Sequence, residues 1–291
     1  MRQRAPPSPP QPSSGRTSGA LTTAPSHNAL ILAGRRRGAG DELAQATGAR
    51  HRALLDFHGT PMLERVVQAL EASRPISKIW TSIDAPELLP HAGTLGGRID
   101  RGELQVLPSA DSPSLSVLEA LDAIPSTLPL LVTTADHALL DPPMVEYFLE
   151  AAEREAADIS LALVPEGVIQ RRFPDTKRTF IPLRGSRFSG ANLFVFRTPA
   201  ARRGIEFWSR VEEHRKQPWR LVRSFGPLSL LLFLLRRLDL KQASARVSRI
   251  LGARVAIIEM PQAEAAIDVD RLSDYHQVRA ILEDRLRSQP R

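Results

Sequence analysis

The sequence predicts an α/β domain with a mostly parallel central sheet flanked by helices. From about residue 28, strand-like and helix-like segments alternate, the pattern that winds a parallel sheet. Residues 128–134, LPLLVTT, form a continuous apolar run of the kind found in a strand buried on both faces. Residues 30–33 are a short apolar strand that runs straight into a glycine-rich basic loop. Sheets of this type carry ligands beyond the carboxyl ends of their strands.

Each element follows in order. After the strand at 30–33, Thr60 is expected to cap a helix with Pro61 at its first position, and Leu63, Val66, Val67 and Leu70 make its apolar stripe. Residues 78–83 and 104–107 read as the second and third strands, and 115–124 as a helix. After the run at 128–134, Asp141 caps a helix that opens on Pro142 and extends to about residue 157. A strand at 159–164 follows. The second half is less regular. Strands at 179–182 and 192–196 flank a turn at 185–190, and helices are expected at 200–214 and 227–251, the latter broken near Asp239. A strand at 254–260 and a helix at 272–286 close the chain.

Composition removes several chemistries. There is no cysteine, which excludes disulfides, thiolate metal sites and a cysteine nucleophile. The longest apolar run, 228–235, has eight residues, far below the roughly 20 that span a bilayer. The net charge is +7, but the basic residues are scattered and aromatics are only 5%, which argues against a nucleic-acid surface. Of the 39 basic residues only four are Lys, a skew that reads as coding bias. Residues 1–27 hold six prolines and no acidic residue, and they are expected to form a disordered tail. A misplaced translation start would explain that stretch equally well. The protein is expected to be cytoplasmic.

The glycine loop carries Gly34, Arg35, Arg36, Arg37, Gly38 and Gly40. Glycines let backbone N–H groups approach an anion, and arginines suit polyphosphate oxygens. The spacing is neither a P-loop nor a dinucleotide fingerprint, so an ordinary strand-to-loop connection is the alternative. Asp136 directly follows the apolar strand, as a hard-cation ligand would, or else it is a turn residue. In Ile267-Asp268-Val269-Asp270 only one of the two carboxylates is expected to face a site, and Asp270 can also serve as a helix cap. His137 is read as a structural neighbour of Asp136 rather than a general base.

Three blocks carry a resemblance. They are Leu32-Ala33-Gly34 through Ala53-Leu54-Leu55 with Gly59-x-Pro61-Met62-Leu63, then Thr134-Ala135-Asp136-His137-x-Leu139, then Asp268-Val269-Asp270 with Asp274. In this order the chain resembles the GT-A-type nucleotidyltransferase superfamily, which includes molybdenum-cofactor guanylyltransferase-like and sugar-phosphate cytidylyltransferase-like proteins. The resemblance covers residues 28–291 and implies a Rossmann-like sheet with a helical insert at about 200–251. It implies that Ala33, Gly34, Arg35, Gly38 and Gly40 wrap a nucleoside triphosphate, with Arg52 on phosphate where the family usually has Lys. Ser116 would contact the base or ribose. Asp136 and Asp270 would hold Mg²⁺ and, with Arg52, form the catalytic set, while Gly190 and Asn192 would line the acceptor side. The chain departs from the family at Arg35, where a second glycine is usual, and at Arg52.

The implied activity is Mg²⁺-dependent transfer of an NMP group from an NTP to a small phosphorylated acceptor, with release of pyrophosphate. The alternatives are a nucleotide-binding or interaction protein without turnover, and a glycosyltransferase of the same fold. Within 215–240, Arg215, Lys216, Trp219, Arg220, Arg223 and Phe225 precede the run at 228–235. That stretch reads either as a peripheral membrane contact or as an insert packed on the domain or on a second subunit of a homodimer.

Overall fold

The computed structural model describes residues 26–35, 41–176, 178–214 and 238–288. Gly38, Gly40 and most of the basic and aromatic stretch at 215–240 therefore lie outside the described residues, as does nearly all of the expected tail.

Strand β1 (His27–Leu32) forms the middle of the sheet because its residues alternate between two cores. Ala29 and Ile31 pack into one, Leu30 into the other, as a period of two requires. Strand β6 (Leu130–Thr134) does the same, with Leu131 on one face and Leu130 and Val132 on the other, which explains its unbroken apolar text. Between them in sequence come the hairpin β2 (Asp56–Phe57) and β3 (Thr60–Pro61), then β4 (Ile76–Ile83) and β5 (Leu104–Pro108). Later strands are β7 (Ile159–Pro165), β8 (Ile181–Leu183), β9 (Ser186–Phe196) and β10 (Val255–Glu259). The main sheet runs β10-β7-β9-β6-β1-β4-β5, with β8 on β9. All its neighbours along that path pair in parallel except β9, which is antiparallel to both β6 and β7.

Helices cover both faces. On one side, α2 (Met62–Glu71) and α5 (Pro142–Glu155) pack Leu63, Val66, Leu70, Phe148 and Leu149 onto the sheet. On the other, α4 (Pro113–Ala123) and α7 (Ala201–His214) bring Val117, Ala120 and Ile205, and α8 (Leu240–Leu251) adds Val247 and Leu251. Asp239 caps α8 with a reciprocal pair to Gln242, so this helix starts at Leu240, next to the expected break; the part of the expected helix at 227–237 lies outside the described residues. Short helices α1 (Glu42–Thr47), α3 (Leu95–Asp100) and α6 (Glu166–Arg172) were not legible from periodicity, each being under two turns. The last helix, α9 (Leu272–Ser288), buries Tyr275, Val278 and Leu282 against Leu55, Phe57 and Met62. Each such side chain contributes about 1.5–3 kcal/mol of burial, and the Tyr275 hydroxyl donates to the Asp56 carbonyl at 3.0 Å.

Two local expectations are corrected. Thr60 does not cap α2: it lies in the β2–β3 hairpin opposite Phe57, and Pro61 precedes the helix, which has no side-chain cap. The turn expected at 185–190 contracts to Arg184-Gly185, because Leu183 already pairs with Ser186 and Gly185 adopts a left-handed φ of 89°.

Candidate active site

Strand register brings the carboxyl ends of β1, β4, β5 and β6 to one level. Ala33 N–H donates to Ser82 O at 2.8 Å, Ala135 N–H to Leu32 O at 2.9 Å and Ser109 N–H to Ile83 O at 3.1 Å. The residues that follow these strands therefore converge on one cavity of about 570 Å³. Ala33, Gly34, Arg35, Arg52, Ser116, Asp136, Asn192 and Asp270 all line it, so the structure brings together eight of the site residues expected from sequence. Gly190 is exposed in β9 opposite Leu163 and lies outside this lining.

Gly34 is required by close approach rather than by its dihedral. A Cβ built there would sit 2.7 Å from Ser109 Oγ and 2.8 Å from Ser109 Cβ. Only a hydrogen lets the exit of β1 lie against the exit of β5. Arg35 next to it is anchored: Asp84, just past β4, accepts from its backbone N–H at 3.0 Å and from its Nε at 2.8 Å.

The wall opposite is the start of α4. Ser112 caps that helix, and Ser116 Oγ accepts from the Ala110 N–H at 3.0 Å, so Ser116 first of all fixes the loop leading into the helix. Glu212 of α7 braces the same end, accepting from the Ser114 N–H at 3.2 Å and from the Ser114 hydroxyl. On the far side, Asn192 holds φ at 48° within β9, where the pairing with β7 slips between Leu161 and Leu163. Asn tolerates this conformation better than most residues, and such an irregularity re-aims a side chain out of a regular strand.

The acidic floor has three members, not two. Asp136 follows β6, and its carbonyl accepts from the Val269 N–H at 3.1 Å, which lays the segment 268–270 beside it. Both Asp268 and Asp270 line the cavity, which corrects the expectation that only one would. Residues two apart on an extended chain share a face. Asp274, in the first turn of α9, reaches back and accepts from the Asp270 and Arg271 N–H groups at 3.2 and 2.9 Å, which fixes the entry to the helix. Asp268 is gripped by Arg178 at 2.7 Å, whereas Asp270 and the Val269 carbonyl receive the Arg52 guanidinium.

Enclosure by protein, with the charges of Asp268 and Asp270, pushes the Asp136 carboxyl up to about 6, against a hydrogen bond from Thr134 and the Arg52 charge, which favour ionisation. A carboxylate crowded by two others and open in part to a cavity is a place that gains from a cation. Among the described residues no group of three or more His, Cys, Asp or Glu side chains is disposed to hold a metal ion by itself. Mg²⁺ takes one or two carboxylates and completes its shell with phosphate oxygens and water, and the Asp136 carboxyl with its acidic neighbours is a donor set of that chemistry. His137, buried and without a hydrogen-bond partner on either ring nitrogen among the described residues, is held down to about 4 by burial and by the Arg178 charge. It does not line the cavity.

Sequence reasoning missed Asp84 and the loop at 109–112. Asp84 carried the same signal as Asp136, an acidic residue directly after a buried strand.

A MobA-like NTP transferase domain matches residues 29–222. A hypothetical transferase from Thermus thermophilus is 30% identical, with a TM-score of 0.70 over 86% of this chain and 99% of that one. The fold is shared with a CMP:2-keto-3-deoxy-manno-octonic acid synthetase complexed with CTP, at 14% identity and a TM-score of 0.55 over 89% and 100% of the two chains. It is shared also with a 4-diphosphocytidyl-2C-methyl-D-erythritol synthase from Anaerococcus prevotii, at 12% identity and a TM-score of 0.55 over 89% and 97%. No curated protein matches the chain. With its sheet, its glycine-marked strand exit and its acidic floor in place, the chain belongs to the family of MobA-like NTP transferase domains.

Proposed function

We propose that this protein transfers an NMP group from an NTP to a small phosphorylated acceptor in a Mg²⁺-dependent reaction that releases pyrophosphate. The observation that carries this reading is the convergence of Asp136 and Asp270 with Gly34, Arg35 and Arg52 on a single cavity. Gly34, Arg35 and Arg52 take the triphosphate, Ser116 takes the base or ribose, and Asn192 faces the acceptor. Asp136 and Asp270 would hold Mg²⁺, which would supply charge neutralisation on the phosphate oxygens and on the leaving pyrophosphate.

An oxygen of the acceptor phosphate attacks the α-phosphorus of the NTP. The bond from that phosphorus to its bridging oxygen breaks, and the electron pair leaves with pyrophosphate. An acceptor oxygen that is already ionised needs no general base, so the chain's work is positioning and charge placement.

One observation favours a second reading, nucleotide binding without turnover: the Arg52 guanidinium is bonded to Asp270, a carboxylate the metal needs. Pyrophosphate release separates the two. The full-length protein is given each NTP with Mg²⁺ and a panel of sugar, polyol and cofactor-precursor phosphates. Acceptor-dependent pyrophosphate from one pairing supports transfer. Nucleotide binding with no release from any pairing supports the second reading.

A further inference from the structure

Two residues that none of the site assignments above uses, His51 and Asp84, hold Arg35 at the exit of β1. His51 is buried, with a side chain that is 0% exposed. Its Nδ1 accepts from the Ala53 N–H at 3.1 Å. The ring proton therefore sits on Nε2, which lies 3.0 Å from Asp84 Oδ1 and donates to it. The same Oδ1 accepts from the Arg35 backbone N–H, and Oδ2 accepts from Arg35 Nε. Asp84 is thus fixed from behind by an immobile histidine and grips Arg35 twice in front. Burial alone would raise the Asp84 carboxyl, but the hydrogen bonds from His51 and Arg35 outweigh it and hold it at about 2. The carboxylate stays ionised whenever the protein is folded and near neutral pH.

The grip is selective about which part of Arg35 it takes. It uses the backbone N–H and Nε, and among the described residues the terminal nitrogens Nη1 and Nη2 meet no partner. Arg35 lines the cavity, and its side chain is 44% exposed. Four N–H donors on a guanidinium whose base is clamped are a pre-set fork for phosphate oxygens, with little rotamer entropy left to lose on binding.

We propose that Arg35 presents its terminal guanidinium nitrogens to the phosphates of the nucleotide, and that Asp84, backed by His51, is the positioning residue that aims it. This rests on the nucleotide-binding reading above and deepens it. Arg35 stands where the resembling family usually has a glycine, and the Asp84–His51 pair gives that added side chain a fixed direction.

The test measures binding to the full chain in the absence of metal, with inorganic tripolyphosphate, the four NTPs and the four NMPs as probes. Arg35→Ala is expected to weaken tripolyphosphate and the preferred NTP by about tenfold to a hundredfold, the range of a charge-assisted hydrogen-bond pair. The matching NMP should change less than about twofold if the fork reads the outer phosphates. Asp84→Asn keeps the shape but turns an N–H donor toward Nε, and should weaken the NTP by a comparable factor. The double variant should be no weaker than Arg35→Ala alone, because Asp84 acts only through Arg35. Lys cannot be held by Nε while offering two further nitrogens, so Arg35→Lys should not restore affinity.

Arg35→Ala is an exposed change that leaves a result even if Asp84→Asn misfolds. Unchanged NTP and tripolyphosphate affinity in Arg35→Ala overturns the inference and leaves the nucleotide site standing. Equal weakening of NTP and NMP, or additive losses in the double variant, overturns it as well. Failure of the wild-type protein to bind any NTP overturns both this inference and the reading beneath it.

Discussion

Arg52 and Asp270 lie 218 residues apart in sequence and meet across the cavity, where the guanidinium donates to the carboxylate and to the neighbouring Val269 carbonyl. The contact ties the first half of the chain to the segment that enters α9. It also places a cation against one of the two carboxylates that the proposed chemistry assigns to a metal. Both side chains are open to solvent, 32% exposed for Arg52 and 58% for Asp270, so the pair adds little to folding.

The first prediction follows from that exposure. Arg52→Gln should lower stability by no more than about 1 kcal/mol, the usual worth of an exposed ion pair. NTP turnover should fall by about a hundredfold or more if the guanidinium moves to phosphate oxygens during the reaction. Urea unfolding and pyrophosphate release on the same preparation check both. A variant that unfolds readily yet turns over normally would make Arg52 a structural tie.

Asp136→Asn should stabilise the metal-free protein. The folded carboxyl titrates at about 6, above its ordinary value of 3.8, so its ionised form is disfavoured by the fold. The group's stabilising effect is present below pH 4 and is lost as pH rises through about 6. At neutral pH the variant should gain about 1 kcal/mol, a discounted figure because cavity water reaches part of the carboxylate. The gain should disappear at pH 4. Thermal melts in chelator at the two pH values check this, and a lower melting temperature at pH 7 would mark Asp136 as a structural turn residue.

His137 tests the opposite sign. Its folded value is depressed to about 4 from 6.5, so the unfolded chain takes up a proton first as pH falls. Stability is lost between about pH 6.5 and 4 on this group's account. Removing a buried imidazole that has no hydrogen-bond partner should cost little. His137→Leu is expected to lie within about 1 kcal/mol of wild type at pH 7 and to gain on it at pH 5. Turnover that stays within a few-fold agrees with a structural role, and its loss in a folded variant would make the histidine a base.

Gly34→Ala should push the exit of β1 away from Ser109, since the new Cβ would lie 2.7 Å from the Ser109 hydroxyl. We expect about 1–3 kcal/mol of destabilisation from overpacking and weaker NTP binding. Ser109→Gly in the same chain should restore both. Rescue would assign the glycine to close approach, and normal binding by Gly34→Ala alone would remove that reason for it.

Much of this was legible in sequence for identifiable physical reasons. Asp136 was readable because an acidic residue directly follows a strand whose apolar text is continuous, and Gly34 because it ends an apolar strand. Asp84 bears the mark of Asp136 but follows a strand with a polar start, Ile76–Ile83, which masks the signal. The two-residue period puts Asp268 on the face of Asp270, so a site that takes one of them takes both. The antiparallel insertion of β9 between β6 and β7 could not be read, since strand order depends on pairings far apart in sequence. Short helices such as Glu42–Thr47 carry too few turns to show a period.

The most direct measurement is thermal stabilisation of the full-length protein by ATP, GTP, CTP and UTP, each with and without Mg²⁺, beside Asp136→Asn. A ligand at a hundred times its Kd stabilises the native state by about 2.7 kcal/mol, a shift well above error. We expect one NTP to raise the melting temperature by several degrees, to need Mg²⁺ for the full effect, and to lose the Mg²⁺-dependent part in the variant. If none of the four moves the melting temperature at millimolar concentration, or if Asp136→Asn responds to Mg²⁺ as wild type does, the cavity is not an NTP–metal site.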